Sequence, residues 1–309
     1  MEKIKIHFCD FWRTHTYEND FFVNILKDKY EIAEDDKNPD FVICSCYGRE
    51  YQKYDCPRIF YTGENITPDF NVYDYAIGFD YIDFDNRYLR VPIYHFLSKF
   101  TPKQPMPQKP QKREFCSFLY SNGIYCDNIR IKFFHELSKY KKINSSGRLL
   151  NNTGAKVDNK TDYLKNFKFT IAFENSSNKG YITEKIADAF LAHTIPIYWG
   201  DPYAGNEFNT EAFIFVNEYK NLDEVIEKIK EIDNNDELYL KMLNAPKVLN
   251  DKNYDEKLIE FFDNIFKNKG KILRKDVNKG WYKCNGGEFY LYSGARRKIL
   301  SKFKNIFLR

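Results

Sequence analysis

Residues Phe169–His193 read FTIAFENSSNKGYITEKIADAFLAH. FTIAF is a short apolar run of strand type, and TEKIADAFLAH has the apolar spacing of a helix. In doubly wound sheets, ligands bind beyond the carboxyl ends of the strands, so the polar turn ENSSNKGYIT is expected to face one. Thr183 stands where a helix N-cap belongs, and free backbone N–H groups at a helix start attract anions. Lys185, in the first turn, opposes the helix dipole. Its placement makes sense if a phosphate sits there. Glu184 would repel a phosphate unless it takes a ribose or sugar hydroxyl, although an acid at a helix start is also ordinary helix chemistry. Tyr181 reads equally well as packing. Together these residues predict a site for a nucleotide-sugar diphosphate.

Working outward, strand-like and helix-like runs alternate on both sides of this stretch. KIKIHF, FVICSCY, RIFYTG and YAIGF are strand candidates, with ENDFFVNILKDKY and YLRVPIYHFLSKF as helices. After them comes TPKQPMPQKPQK, Thr101–Lys112, with four prolines and Met106 as its one aliphatic side chain. Such a segment cannot build a core and reads as a linker. Beyond it FCSFLYS, FTIAF, IPIYW and AFIFV are strands, and NIRIKFFHELSKY, LDEVIEKIKEI and EKLIEFFDNIF are helices. Alternation of this kind predicts parallel sheets covered by helices. The expected organisation is α/β, with two Rossmann-like domains facing a cleft. The first domain is expected over residues 1–100, the linker over 101–112, the second domain over 113–270 and a C-terminal segment over 271–309. That last segment ends in GARRKILSKFKNIFLR, with six basic side chains from Arg296 onward and no acid. Leu300, Phe303 and Phe307 share one helical face, a basic amphipathic pattern suited to an anionic membrane surface. A terminal helix docked on its own protein would give the same pattern.

Composition narrows the classes. A hydrophobic fraction of 43% permits a sizeable core, and a net charge of +4 is too weak to imply nucleic acid. The seven cysteines are odd in number and lack paired zinc-type spacing, which suits reduced core thiols in a cytosolic protein. The N-terminus carries no long apolar signal region, and no run reaches the ~18–20 apolar residues of a membrane span. The expected location is cytoplasmic, with peripheral attachment to the inner face of the membrane through the tail. The five histidines are scattered, and no Gly-rich P-loop favours a kinase or NTPase. DFD at Asp83–Asp85 mimics a metal-binding DxD but reads as a loop after YAIGF.

The stretch FTIAFENSSNKGYITEKIADAFLAHTIPIYWGDP resembles the signature of the α1,3/4-fucosyltransferases, glycosyltransferase family 10. RIFYTGENITPDFNVYDYAIGFDYIDFDNRYLRVPIY resembles the N-terminal domain of the bacterial members, and FLYSNGIYCDNIRIKFFHEL lies between the two blocks as in that family. The resemblance runs from about Arg58 to Asn250. It implies a GT-B fold and an inverting transfer of L-fucose from GDP-fucose to a glycan acceptor. By motif, Glu64 matches the family's proposed general base and Arg130 the arginine at the donor phosphates. Asn175, Tyr181, Glu184 and Lys185 match donor-binding positions, with Glu174 near them in a role the motif does not define. The resemblance implies no required cofactor but leaves room for stimulation by Mn²⁺ or Mg²⁺. A general base on the acceptor side suits an inverting displacement, and cations on the donor side suit a departing diphosphate. The heptad repeats that precede the tail in some relatives are absent.

The leading expectation is an α1,3-fucosyltransferase acting on N-acetylglucosamine of a lactosamine-type glycan, of the kind found in Lewis antigens on bacterial lipopolysaccharide. The alternatives are α1,4 linkage or another acceptor on the same fold, and an inactive glycan-binding protein that keeps the fold.

Overall fold

The computed structural model describes residues 1–98, 100, 113–124, 126–248 and 252–275, with the backbone of 282–283 and 289–290. The proline-rich linker and the basic tail read from the sequence lie outside the described residues. The chain divides into two compact units, one made of Met1–Val91 with Asn253–Arg309, the other of Pro92–Lys252.

The first unit contains β1 (Glu2–Cys9), α1 (Phe21–Leu26), β2 (Tyr30–Glu34), β3 (Phe41–Cys44), β4 (Arg58–Tyr61), β5 (Tyr75–Gly78) and β6 (Tyr88–Arg90). Its six-stranded sheet is parallel, in the order β2-β1-β3-β4-β5-β6. β3 and β4 are buried at every position, FVIC and RIFY, as strands covered on both faces must be. YEIAE, which the sequence reading passed over, supplies the edge strand β2. YLRVPIYHFLSKF, expected as one helix, instead begins with β6 and then a short α2 (Tyr94–Leu97). Pro92 separates the two, since proline disfavours helix in the residue before it.

The second unit contains α2, β7 (Glu114–Phe118), α3 (Ile129–Ser138), β8 (Ile143–Ser145), α4 (Lys160–Leu164), β9 (Phe167–Phe173), α5 (Glu184–Leu191) and β10 (Ile195–Trp199). It continues with β11 (Ile214–Phe215), α6 (Leu222–Asp233) and α7 (Asp236–Asn244). Its five strands run parallel in the order β11-β10-β9-β7-β8. Phe133, Phe169, Phe173, Ile197 and Ile229 lie in its main core.

Two domain boundaries differ from those expected. Residues from Pro92 belong with the second unit, because Tyr94 donates its N–H to Ile182 O at 3.0 Å and Phe100 packs on Phe190 and Phe208. The helix α8 (Tyr254–Lys267), expected within the second domain, belongs with the first. Its apolar face sets Phe262 against Phe22 at 5.4 Å and Phe266 against Tyr30 and Phe41 at 5.0 and 5.2 Å. Burying such a face contributes about 1.5–3 kcal/mol per large side chain. Past α8, Leu273 N and Arg274 N donate to Asp74, and the Arg274 guanidinium pairs with the same buried carboxylate. The backbone of β12 (Tyr282–Lys283) pairs antiparallel with β13 (Phe289–Tyr290).

Candidate functional site

Both sheets share one topological feature. The chain lays its second strand on one side of the first and its third strand on the other. The crevice beyond the carboxyl ends of the first and third strands is where such folds bind ligands. In the second unit that point lies beyond β7 and β9, and most of the residues singled out by the sequence converge on it.

β9 ends at Phe173, and Glu174 follows with no exposed surface. Its carboxylate accepts from Thr183 N at 2.8 Å, from the Thr183 hydroxyl at 2.7 Å and from Lys185 Nζ at 2.9 Å. Glu174 was expected close to the donor; here its carboxylate serves as an internal bracket that fixes the start of α5. Thr183 does occupy the N-cap position, but its hydroxyl donates to Glu174 and makes no cap bond to the helix. Lys185 therefore finds its compensating anion within the protein. Burial alone would lower its ammonium, but the carboxylates of Glu174 and Glu184 outweigh that and raise it. Burial likewise pushes the Glu184 carboxyl up, while Lys185 and Lys160, each 3.9 Å away, overcome it and hold it below the ordinary value. Glu184 and Lys185 both keep partial exposure, 29% and 16% of their side chains. Tyr181 is buried, 2% exposed.

Two glycines permit this turn. Gly180 sits at φ +84°, which favours glycine. A Cβ on Gly200 would come within 2.5 Å of Glu174 Cγ, so the turn after β10 must be bare for the carboxylate to lie where it does.

Arg130, from α3, is only 1% exposed. Its Nη2 donates to Phe173 O at 2.9 Å and to Asn175 Oδ1 at 2.8 Å, and its Nη1 to Asn122 O at 3.3 Å. The guanidinium carbon lies 4.1 Å from the centre of the Tyr120 ring. All of these partners are neutral. Among the described residues no carboxylate pairs with Arg130, and its Nε has no hydrogen-bond partner. Arginine is rarely buried without a charged partner, and the Arg130 guanidinium has only neutral ones. Asn175 is held in place in turn, its carbonyl accepting from Asp127 N at 2.8 Å. Tyr120 and Asn122 escaped the sequence reading. Their signal was their position, just past the first strand of the second sheet.

Glu64 lies in the first unit, in the loop after β4, and is exposed. Its backbone N–H donates to the Thr62 hydroxyl at 3.2 Å, and the Tyr47 hydroxyl donates to its Oε1 at 2.5 Å. Asp83 and Asp85 lie in the β5–β6 connection, and Asp85 has φ +45°. Among the described residues no group of three or more His, Cys, Asp and Glu side chains is placed to hold a metal ion. Likewise among them, no helix is long and apolar enough to cross a membrane.

Comparison with known proteins extends this picture. Residues 6–97 match the model of the alpha-(1,3)-fucosyltransferase FucT N-terminal domain, and residues 109–262 match that of the glycosyltransferase family 10 (fucosyltransferase) C-terminal region. An alpha-(1,3)-fucosyltransferase, FucT, of Helicobacter pylori is 34% identical over 319 residues, covering 86% of this chain. The chain spans 66% of that relative's length. A crystal structure of an α1,3-fucosyltransferase with GDP superposes with a TM-score of 0.77 at 31% identity, covering 89% of this chain and 93% of the other. One with GDP-fucose gives 0.76 at 31% identity, with the same coverage. The fold is thus GT-B, and with both family models matched in order the chain belongs to the fucosyltransferases of glycosyltransferase family 10.

Proposed function

We propose that this protein is a GDP-fucose-dependent α1,3-fucosyltransferase that inverts the anomeric centre and acts on N-acetylglucosamine in a lactosamine-type glycan. The observation that carries the donor side is Arg130, a buried guanidinium with only neutral acceptors at the switch point of the second sheet. A diphosphate there would supply the missing anion, and Lys185 would share its charge. Glu184, partly exposed beside them, would accept from a ribose or fucose hydroxyl. Related α1,3-fucosyltransferases have crystal structures with GDP and with GDP-fucose, which supports the donor identity.

On the acceptor side Glu64 is an exposed carboxylate beyond a strand end of the first sheet. As the acceptor oxygen attacks C1 of fucose, its proton passes to Glu64 and the bond from C1 to the GDP oxygen breaks. GDP leaves with the negative charge, which Arg130 and Lys185 stabilise. The basic tail from Arg296 would hold the enzyme at an anionic membrane face, where lipid-linked glycans are presented. The test is turnover of GDP-fucose on a panel of type 1 and type 2 acceptors, with the linkage read by NMR. An α1,3-fucosylated lactosamine is the expected product. Release of GDP with no transfer to any of these acceptors, or a different linkage, would overturn the acceptor assignment.

A further inference from the structure

The switch point of the first sheet, beyond β1 and β3, is filled by a rigid loop that carries Tyr47 to Glu64. Asp10, just past β1, sits at φ +61°, a strained conformation for a residue with a side chain. Its carboxylate accepts from Glu50 N at 2.8 Å and Tyr51 N at 3.0 Å, and its carbonyl accepts from Tyr47 N at 2.9 Å. A Cβ on Gly48 would come within 2.1 Å of Asp10 Oδ1, so only glycine lets the loop close this tightly. The next loop is tied in as well. Cys46 Sγ and Thr62 Oγ1 are 3.1 Å apart, and the Thr62 hydroxyl accepts from Glu64 N. The far side of that loop is anchored by the Thr67 hydroxyl, which donates to Asp80 at 3.2 Å. From this frame the Tyr47 hydroxyl reaches Glu64 Oε1 at 2.5 Å.

We propose that Tyr47 is a positioning residue for Glu64, holding one carboxylate oxygen so that the other takes the acceptor proton. This rests on the reading of Glu64 as the general base. A flexible, exposed glutamate samples many rotamers, and a proton acceptor must be placed within hydrogen-bond reach of the hydroxyl it serves. An O–H donor to an ionised carboxylate is among the stronger hydrogen bonds and fixes the geometry. The acceptor proton ends on Glu64 Oε2, and Tyr47 keeps its own proton throughout. Asp10 is occupied by backbone N–H groups, and Glu50 pairs with Lys53 at 2.9 Å.

The test compares Tyr47→Phe with Glu64→Gln and with the double variant, all checked for folding by thermal melting. Tyr47→Phe is expected to lower kcat about ten- to a hundredfold, since a hydrogen bond to a charged group is worth roughly 1.5–3 kcal/mol. The KM for GDP-fucose should stay unchanged. In the Glu64→Gln background, Tyr47→Phe should cost nothing more. An inactive Glu64→Gln beside a fully active Tyr47→Phe would overturn the role of Tyr47 alone. A further loss in the double variant would place its action elsewhere. Near-normal turnover by Glu64→Gln would remove the base itself and the inference with it.

Discussion

The two units have related parallel sheets but fill their switch points in opposite ways. Beyond β7 and β9 two charged side chains are fully buried. Glu174 has no exposed surface, Arg130 is 1% exposed, and a tyrosine ring lies against the guanidinium. Beyond β1, β3 and β4 the key carboxylate is exposed and a tyrosine hydroxyl steadies it from one side. The contrast follows from what each group would do. A cation that stabilises a diphosphate acts best in low dielectric, where it needs no reorganisation as charge develops. A carboxylate that takes a proton must stay reachable by a hydroxyl. Topology chooses the end of the sheet, and burial is where the two differ.

The largest expected effect belongs to the exposed side. Glu64→Gln should lower turnover by about 10²–10⁴-fold, the usual range for loss of a general base, while GDP affinity stays as it was. Turnover near normal would show that another group takes the proton. It would also leave the first switch point without its proposed role. On the buried side, Arg130→Met keeps the volume and removes the charge. GDP binding by calorimetry should weaken by about tenfold or more, since charge-assisted contacts are worth roughly 1.5–3 kcal/mol. Stability without ligand should change little. Removing an uncompensated buried charge offsets the stranding of Asn122 O and Asn175 Oδ1. A large drop in melting temperature with unchanged GDP affinity would make Arg130 a structural strut and move the diphosphate elsewhere.

The two sites were not equally legible in the sequence. The second could be found because strand, turn and helix lie within Phe169–His193, with their charges in one contiguous run. Even there the reading of Lys185 missed its partner: Glu174 lies eleven residues away and meets it only because the turn folds back. The cradle of Arg130 left no local trace, since Asn175 stands 45 residues from it. In the first unit Tyr47 and Glu64 are 17 residues apart in separate loops, and only strand pairing of β3 with β4 brings them together. The helix α8 was readable from its period, but its destination was not. The face of Phe261, Phe262 and Phe266 would cover either sheet, and contacts with Phe22, Tyr30 and Phe41 decide the matter.

The smallest expected effect separates the buried cluster from its exposed rim. Glu184 lies in the first turn of α5, where an acid favours the helix dipole, and faces Lys185 and Lys160 at 3.9 Å. Its carboxyl is held below the ordinary value of 4.5 when folded. A group lowered in this way contributes stability above its unfolded value and loses it as pH falls through its folded one. Replacing Glu184 by Gln should therefore lower the melting temperature near neutral pH, and the gap from the parent should close as pH drops below about 4. Partly exposed ion pairs of this kind contribute only about 0.2–1 kcal/mol, so the difference is a few degrees at most for a chain of this size. Added salt should shrink it further. If the gap is instead large and survives both acid and salt, Glu184 is anchoring α5 by a contact other than these two lysines. The boundary between buried cluster and open rim would then run outside it.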